Sequence, residues 1–148
     1  MKKPDLSQIA PRVGTPYPPP HDQKCAGRRS WPLTSVLGLK QFGVNRVELP
    51  PGAWSTQRHW HRLNDELVVV VEGELVLVTD DGEELLTAGD CAGFKAGEPN
   101  PHHLQNRSDK PAVFYDIGGR DPWDVSTFPE MGYEARSHME IRFKPIGS

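Results

Sequence analysis

His59 and His61, separated by Trp60 and followed by Glu66, are the residues whose types and spacing promise chemistry in this sequence. In an extended strand, side chains two positions apart point the same way, so both imidazoles leave one face and Trp60 the other. Two neutral nitrogens side by side can grip one metal ion. A turn at Leu63-Asn64-Asp65 brings Glu66 back to the same interior and adds an anionic oxygen. Further on, His102 and His103 precede Leu104, Gln105 and Asn106. With Leu104 facing a core and Gln105 facing out, alternation turns His102 inward and His103 outward, which makes His102 the fourth ligand and His103 the alternative. Three imidazoles and a carboxylate suit Fe, Mn, Ni, Zn, Co or Cu and leave an octahedral shell incomplete, so one divalent ion would keep a position for water or substrate. A His-x-His pair alone is common on exposed strands; the joined set carries the weight.

Other reactive side chains are fewer. Tyr115 and Asp116 lie on a strand expected to border the same cavity, and either could act as a general acid or base, although ordinary packing explains them as well. His21 and His138, in the flanks, read as surface residues, and Trp54, Trp60 and Trp123 as core or interface. Cys25 and Cys91 belong to no CxxC pair, which argues against a disulfide framework or thiolate metal site, and Cys91 reads as a small buried strand residue.

The elements that must position these groups are strands. From about residue 40 to 120, breakers recur at Pro50-Pro51-Gly52, Glu72-Gly73, Asp81-Gly82, Gly89-Asp90, Gly97-Glu98-Pro99 and Gly118-Gly119, the punctuation of an all-β sandwich or barrel. Asp81-Gly82 predicts a tight hairpin. Leu67-Val68-Val69-Val70-Val71 is apolar at every position, so both faces need cover. Inside, that is the barrel core; outside, either a second copy of the chain or the N-terminal arm. That arm, residues 1–32, holds seven of the 15 prolines and is expected to be extended, docking through Trp31, Leu33, Val36, Leu37 and Leu39. Residues 33–148 form the expected barrel domain, with its central part at about 42–118. Glu140 to Lys144 alternates like a last exposed strand.

Taken together, the two runs resemble the motifs of the cupin superfamily. His59, His61, Glu66 and Gly73 match the first motif, with six residues rather than the commoner five between Gly52 and His59, and Gly89, Asp90, Gly97, His102 and Asn106 match the second. The resemblance covers about residues 52–106 and is closest in wording to small single-domain bacterial cupins. It implies a double-stranded β-helix, or jelly-roll barrel, holding a divalent metal with His59, His61, Glu66 and His102. Lys95 stands where Pro is usual, and two extra residues between Gly97 and His102 keep His103 open as the last ligand.

With 17 basic and 20 acidic residues spread along 148 positions, the chain has no charged block to recognise nucleic acid or an anionic membrane. No apolar run reaches the roughly 18 residues of a bilayer span, and the start lacks a secretion signal, so the expected location is the cytoplasm. The expected partners are a small-molecule ligand and a second copy of the chain. Two functions are open: an enzyme using the metal on a carboxylic acid, sugar derivative or phenolic compound (isomerase, decarboxylase, lyase or dioxygenase), and a module that binds or senses such a molecule unchanged.

Overall fold

Prolines and glycines cut the chain into short segments, and almost all of them pair as antiparallel strands. The computed structural model describes residues 3–137 and 142–148, so His138, Glu140 and Ile141 lie outside the described residues. In chain order the strands are β1 (Arg12–Val13), β2 (Arg29–Pro32), β3 (Phe42–Leu49), β4 (Trp60–His61), β5 (Glu66–Glu72), β6 (Glu74–Thr79), β7 (Gly82–Thr87), β8 (Cys91–Phe94), β9 (His103–Gln105), β10 (Ala112–Gly119), β11 (Val125–Phe128), β12 (Tyr133–Arg136) and β13 (Arg142–Pro145). One helical turn, α1 (Leu33–Val36), follows β2.

Three sheets result, in the orders β1-β2-β3-β10-β5-β8, β13-β12-β11-β4 and β7-β6-β9. The inner face of the six-stranded sheet, with Val47, Leu49, Val68, Val70 and Phe114, meets Leu75, Leu77, Leu86 and Leu104 of the three-stranded one to make the main core. Period-two alternation is visible along β5, where Val68 and Val70 are buried while Leu67 and Val71 stay exposed. The outer face of β5 is therefore not covered by the arm.

The arm joins the sheet instead of lying over it. β2 pairs with β3 and β1 with β2, so the proline-rich segment extends the sheet beyond β3, with Pro32 at the strand's end. Its anchors are Tyr17 and Cys25, which pack with Phe128, Met131 and Ala135 in a second core. Trp31 is buried and donates its indole N–H to the Ile9 carbonyl, but Leu39 is exposed and plays no part in docking.

The hairpin between β6 and β7 forms with Thr79 opposite Gly82, so the turn residues are Asp80 and Asp81 and Gly82 opens the return strand. Gly73, between β5 and β6, has φ of 73°, and a Cβ there would stand 2.7 Å from the Pro111 carbonyl oxygen, so only glycine fits. Asn106 is buried and donates its amide to the Leu49 and Lys110 carbonyls at 2.9 and 2.7 Å, tying the end of β9 to β3. Cys91, expected inside, is exposed, because β8 is a sheet edge and its inward residues are Ala92 and Phe94; the buried cysteine is Cys25. Trp123, expected in a core or interface, is 68% exposed in the single chain. No helix among the described residues is long and apolar enough to cross a membrane.

Candidate metal centre

Local sequence fixes where each ligand starts. His59 and His102 exchange backbone hydrogen bonds of 3.2 and 3.0 Å across an isolated antiparallel bridge, which brings the two motifs together. His61 ends β4 and pairs with Ser126 of β11. Glu66 opens β5 and shares a face with Val68 and Val70, so it points into the barrel. The intervening turn is pinned from three sides: Leu63 N–H donates to Asp124 Oδ1, Asp121 N–H to Asn64 Oδ1, and Ala96 N–H to Asp65 Oδ1.

Three of the four side chains converge on one point, and the fourth, His102, joins them through Glu66. Ligand atoms of His59, His61 and Glu66 all lie within 4.8 Å of one another. His102 Nε2 approaches Glu66 Oε1 to 2.6 Å, and the Nε2 atoms of His61 and His59 stand 3.8 and 4.0 Å from Glu66 Oε2. His103 does not join them. Its Nδ1–H donates to the Thr56 carbonyl at 2.8 Å, its Nε2 accepts from the Gln105 amide, and its ring rests against Trp54. It faces away from the centre, as alternation requires, but is buried there, not solvated.

The hydrogen bonds on the far side of each ring choose the tautomer. His59 Nδ1–H donates to the Gln57 carbonyl at 3.0 Å, His102 Nδ1–H to the Asn100 carbonyl at 3.1 Å, and His61 Nδ1–H to Asp124 Oδ2 at 2.7 Å. A carbonyl or carboxylate only accepts, so the proton of each neutral ring sits on Nδ1 and the Nε2 lone pair is turned inward. His102 Nε2 and Glu66 Oε1, 2.6 Å apart, need a positive charge between them: a proton on Nε2, which makes His102 an imidazolium hydrogen-bonded to the carboxylate, or a bound cation in its place. The donor set and its tautomers fit a divalent ion of the transition series.

Electrostatics differ from ring to ring. Burial pushes His59 down to about 4, which keeps the ring neutral and able to coordinate. Burial also works against charge on His61, but the bond to Asp124 and the negative charges of Glu66 and Asp124 outweigh it and raise this ring above its ordinary value. Burial alone would raise Glu66; its hydrogen bond with His102 and the three imidazoles outweigh that and hold it far below the usual carboxylate range. Asp116 is raised well above that range by burial and by the neighbouring Glu66.

Several positioning groups left no local mark in the sequence. Asp124, fully buried and 63 residues after His61, orients that ring, and Ser126 also bonds it. Phe94 stacks flat on His102, with centroids 3.4 Å apart and planes within 3°. An open cavity of about 790 Å³ reaches the centre, with Arg28, His59, His61, Glu66 and Asp116 among its walls. A second, of about 660 Å³, is walled in part by Trp60, His61, Phe94 and His102. Of the two weaker sequence candidates, Asp116 faces the cavity beside Glu66, while Tyr115 lies on the opposite face of β10. His21 is half-buried, its carbonyl accepting from Gln57.

Comparison with known proteins agrees with this architecture. The Cupin domain family matches residues 45–118. The crystal structure of a sugar phosphate isomerase from the cupin superfamily of Silicibacter pomeroyi superposes with a TM-score of 0.94 at 43% identity, over 99% of this chain and 94% of that one. A putative sugar phosphate isomerase from Acidithiobacillus ferrooxidans gives a TM-score of 0.75 at 25% identity, over 82% and 78% of the two chains. In sequence, the tetracenomycin polyketide synthase protein TcmJ of Streptomyces glaucescens is 30% identical over 115 residues, covering 77% of this chain and 72% of that protein. The chain belongs to the cupin family.

Proposed function

We propose that the chain is a metal-dependent cupin enzyme that isomerises a small sugar phosphate, with His59, His61, Glu66 and His102 holding one divalent ion. The observation that carries this reading is the set of three inward Nε2 atoms and one carboxylate at the end of an open cavity, each ring locked in its coordinating tautomer. The ion would act as a Lewis acid on a carbonyl or hydroxyl oxygen of the substrate. The choice of isomerase among the reactions open to such a site is supported by the Silicibacter pomeroyi protein, called a sugar phosphate isomerase and alike over nearly the whole chain.

Moving a carbonyl between adjacent carbons requires one proton to leave a carbon and arrive at the next, and the hydroxyl proton to pass between the two oxygens in the opposite sense to the carbonyl. Asp116, facing the cavity beside Glu66, is the side chain placed to exchange the carbon-bound proton. Phe128, buried, stacks on His59 and Phe94 on His102, so apolar rings flank two of the ligands.

The test is solvent deuterium exchange followed by NMR, with protein reloaded with Mn, Fe, Ni or Zn and offered a panel of aldose and ketose phosphates. Deuterium entering a carbon next to the carbonyl, and its loss in His61→Ala, is the expected result. Sugar phosphate bound but unchanged under every metal would replace the enzyme with the non-catalytic binding reading. Self-association belongs to the same proposal: Leu67 and Val71 stay exposed on β5, and a second copy of the chain would cover them. A monomeric mass in sedimentation equilibrium would remove that part.

A further inference from the structure

Arg28 enters the metal cavity from the proline-rich arm, and its guanidinium makes no hydrogen bond or ion pair among the described residues. Its Nε is buried without a partner. Burial also works against its charge, and Asp116 acts on it only across space. Several other arginines are bonded: Arg58 to Glu130 and Asp80, Arg107 to Glu83, and Arg120 to Thr34, Ser35 and the Leu39 carbonyl, while Arg136, whose Nε is likewise buried without a partner, bonds Glu134 through Nη2. Arg29 and Arg46 pair loosely with Glu48 and lie over the Trp31 ring. A desolvated, unpartnered cation is costly, and the usual remedy is an anion.

The backbone holds Arg28 in place. Its N–H donates to the Cys25 carbonyl at 3.0 Å, and its carbonyl accepts from Gly14 N–H at 2.7 Å. The preceding Gly27 leaves no room for a side chain, since a Cβ there would stand 2.8 Å from Pro50. The arm is thus seated closely on the barrel at this point. Arg28 walls the same cavity as His59, Glu66 and Asp116, and Arg12, Ser30 and Asn45 complete that end of it.

We propose that Arg28, assisted by Arg12, forms a phosphate subsite of the metal cavity, so that the arm is part of the binding site. A guanidinium presents paired N–H donors that match two oxygens of a phosphate, and the metal centre stays free for the other end of the same molecule. Taking the anion to be the phosphate of a sugar phosphate rests on the function proposed above; the subsite itself does not.

The experiment is calorimetric titration of inorganic phosphate into the full chain after metal removal by a chelator, so that phosphate cannot bind through the ion. Loss of a bidentate charged contact in Arg28→Gln should weaken phosphate by at least about tenfold. Arg12→Gln should weaken it less, and Arg29→Gln, outside the cavity, should leave it unchanged. Should Arg28→Gln not fold, phenylglyoxal modification of the unaltered chain reads the same question: phosphate should protect Arg28, located by peptide mass spectrometry. Equal phosphate affinity with and without Arg28, no phosphate binding at all, or no protection would each overturn the proposal. If phosphate binding needs Arg28 while no sugar phosphate is ever isomerised, the subsite stands and the isomerase falls. If isomerisation proceeds with a KM indifferent to Arg28, the subsite falls alone.

Discussion

Asp124→Asn changes no ligand, yet it should loosen the metal. Asp124 accepts from two sides, His61 Nδ1–H at 2.7 Å on Oδ2 and Leu63 N–H at 2.8 Å on Oδ1. An asparagine can keep the Leu63 bond with its carbonyl oxygen, and its NH2 group then faces His61. To accept from that group, His61 must carry its proton on Nε2, the atom that points toward Glu66 at 3.8 Å. Coordination would then require forcing the ring back against an N–H donor and giving up a charge-assisted bond worth about 1.5–3 kcal/mol. Replacing such groups behind a metal-bound histidine typically lowers metal affinity by about 10–100-fold, which is about 1.4–2.7 kcal/mol and agrees with that figure. Competition against a chromogenic chelator measures the metal Kd directly, and far-UV circular dichroism checks that the barrel is intact. A folded Asp124→Asn protein that binds metal as tightly as wild type would refute the assignment of the His61 tautomer and with it the argument for convergence.

Three further outcomes are expected. His61→Ala should lose most of its metal in elemental analysis and lose the rise in Tm that metal gives the wild type, since an ion held only by the folded state stabilises it by mass action; equal metal content would remove His61 from the centre. In the chelator-treated protein, His59 stays neutral down to about 4 when folded, whereas the unfolded ring takes up its proton near 6.5, so the unfolded state binds more protons in between. Stability should fall on acidification through that window, His59 alone accounting for about 3 kcal/mol. His103, pushed down to about 4 by burial, adds to the loss, while His61 and Asp116, both raised, work the other way: His61 stabilises below 6.5 and Asp116 gains on acidification from its raised value downward. Because Asp116 opposes the two lowered rings, the slope is read in Asp116→Asn, where thermal melts flat across this range would contradict the burial of His59 and His103. Gly73→Ala combines a left-handed backbone with a Cβ 2.7 Å from the Pro111 oxygen and 3.0 Å from Ala112 Cα. The backbone conformation alone costs about 1–2 kcal/mol, so a urea midpoint equal to wild type would show that the β5–β6 turn is built differently.

Strand alternation and turn chemistry are local properties, and the sequence by itself determined what depends on them. The all-β class, the hairpin near Gly82 and Glu66 after its turn follow from turn residues, and the common side of His59 and His61 and the opposite facing of His102 and His103 from counting positions two at a time. Tertiary structure decided everything that depends on which strands become neighbours. Cys91 is exposed because β8 falls at a sheet edge, and nothing within its own segment says so. The arm's prolines argue for an extended segment, but not that β1 and β2 pair onto the main sheet and bring Arg28 to the cavity wall. Asp124 reaches His61 across 63 residues only because β11 pairs with β4. A ligand is written in its own strand's periodicity; the group that orients it is set by long-range pairing, which no local pattern encodes.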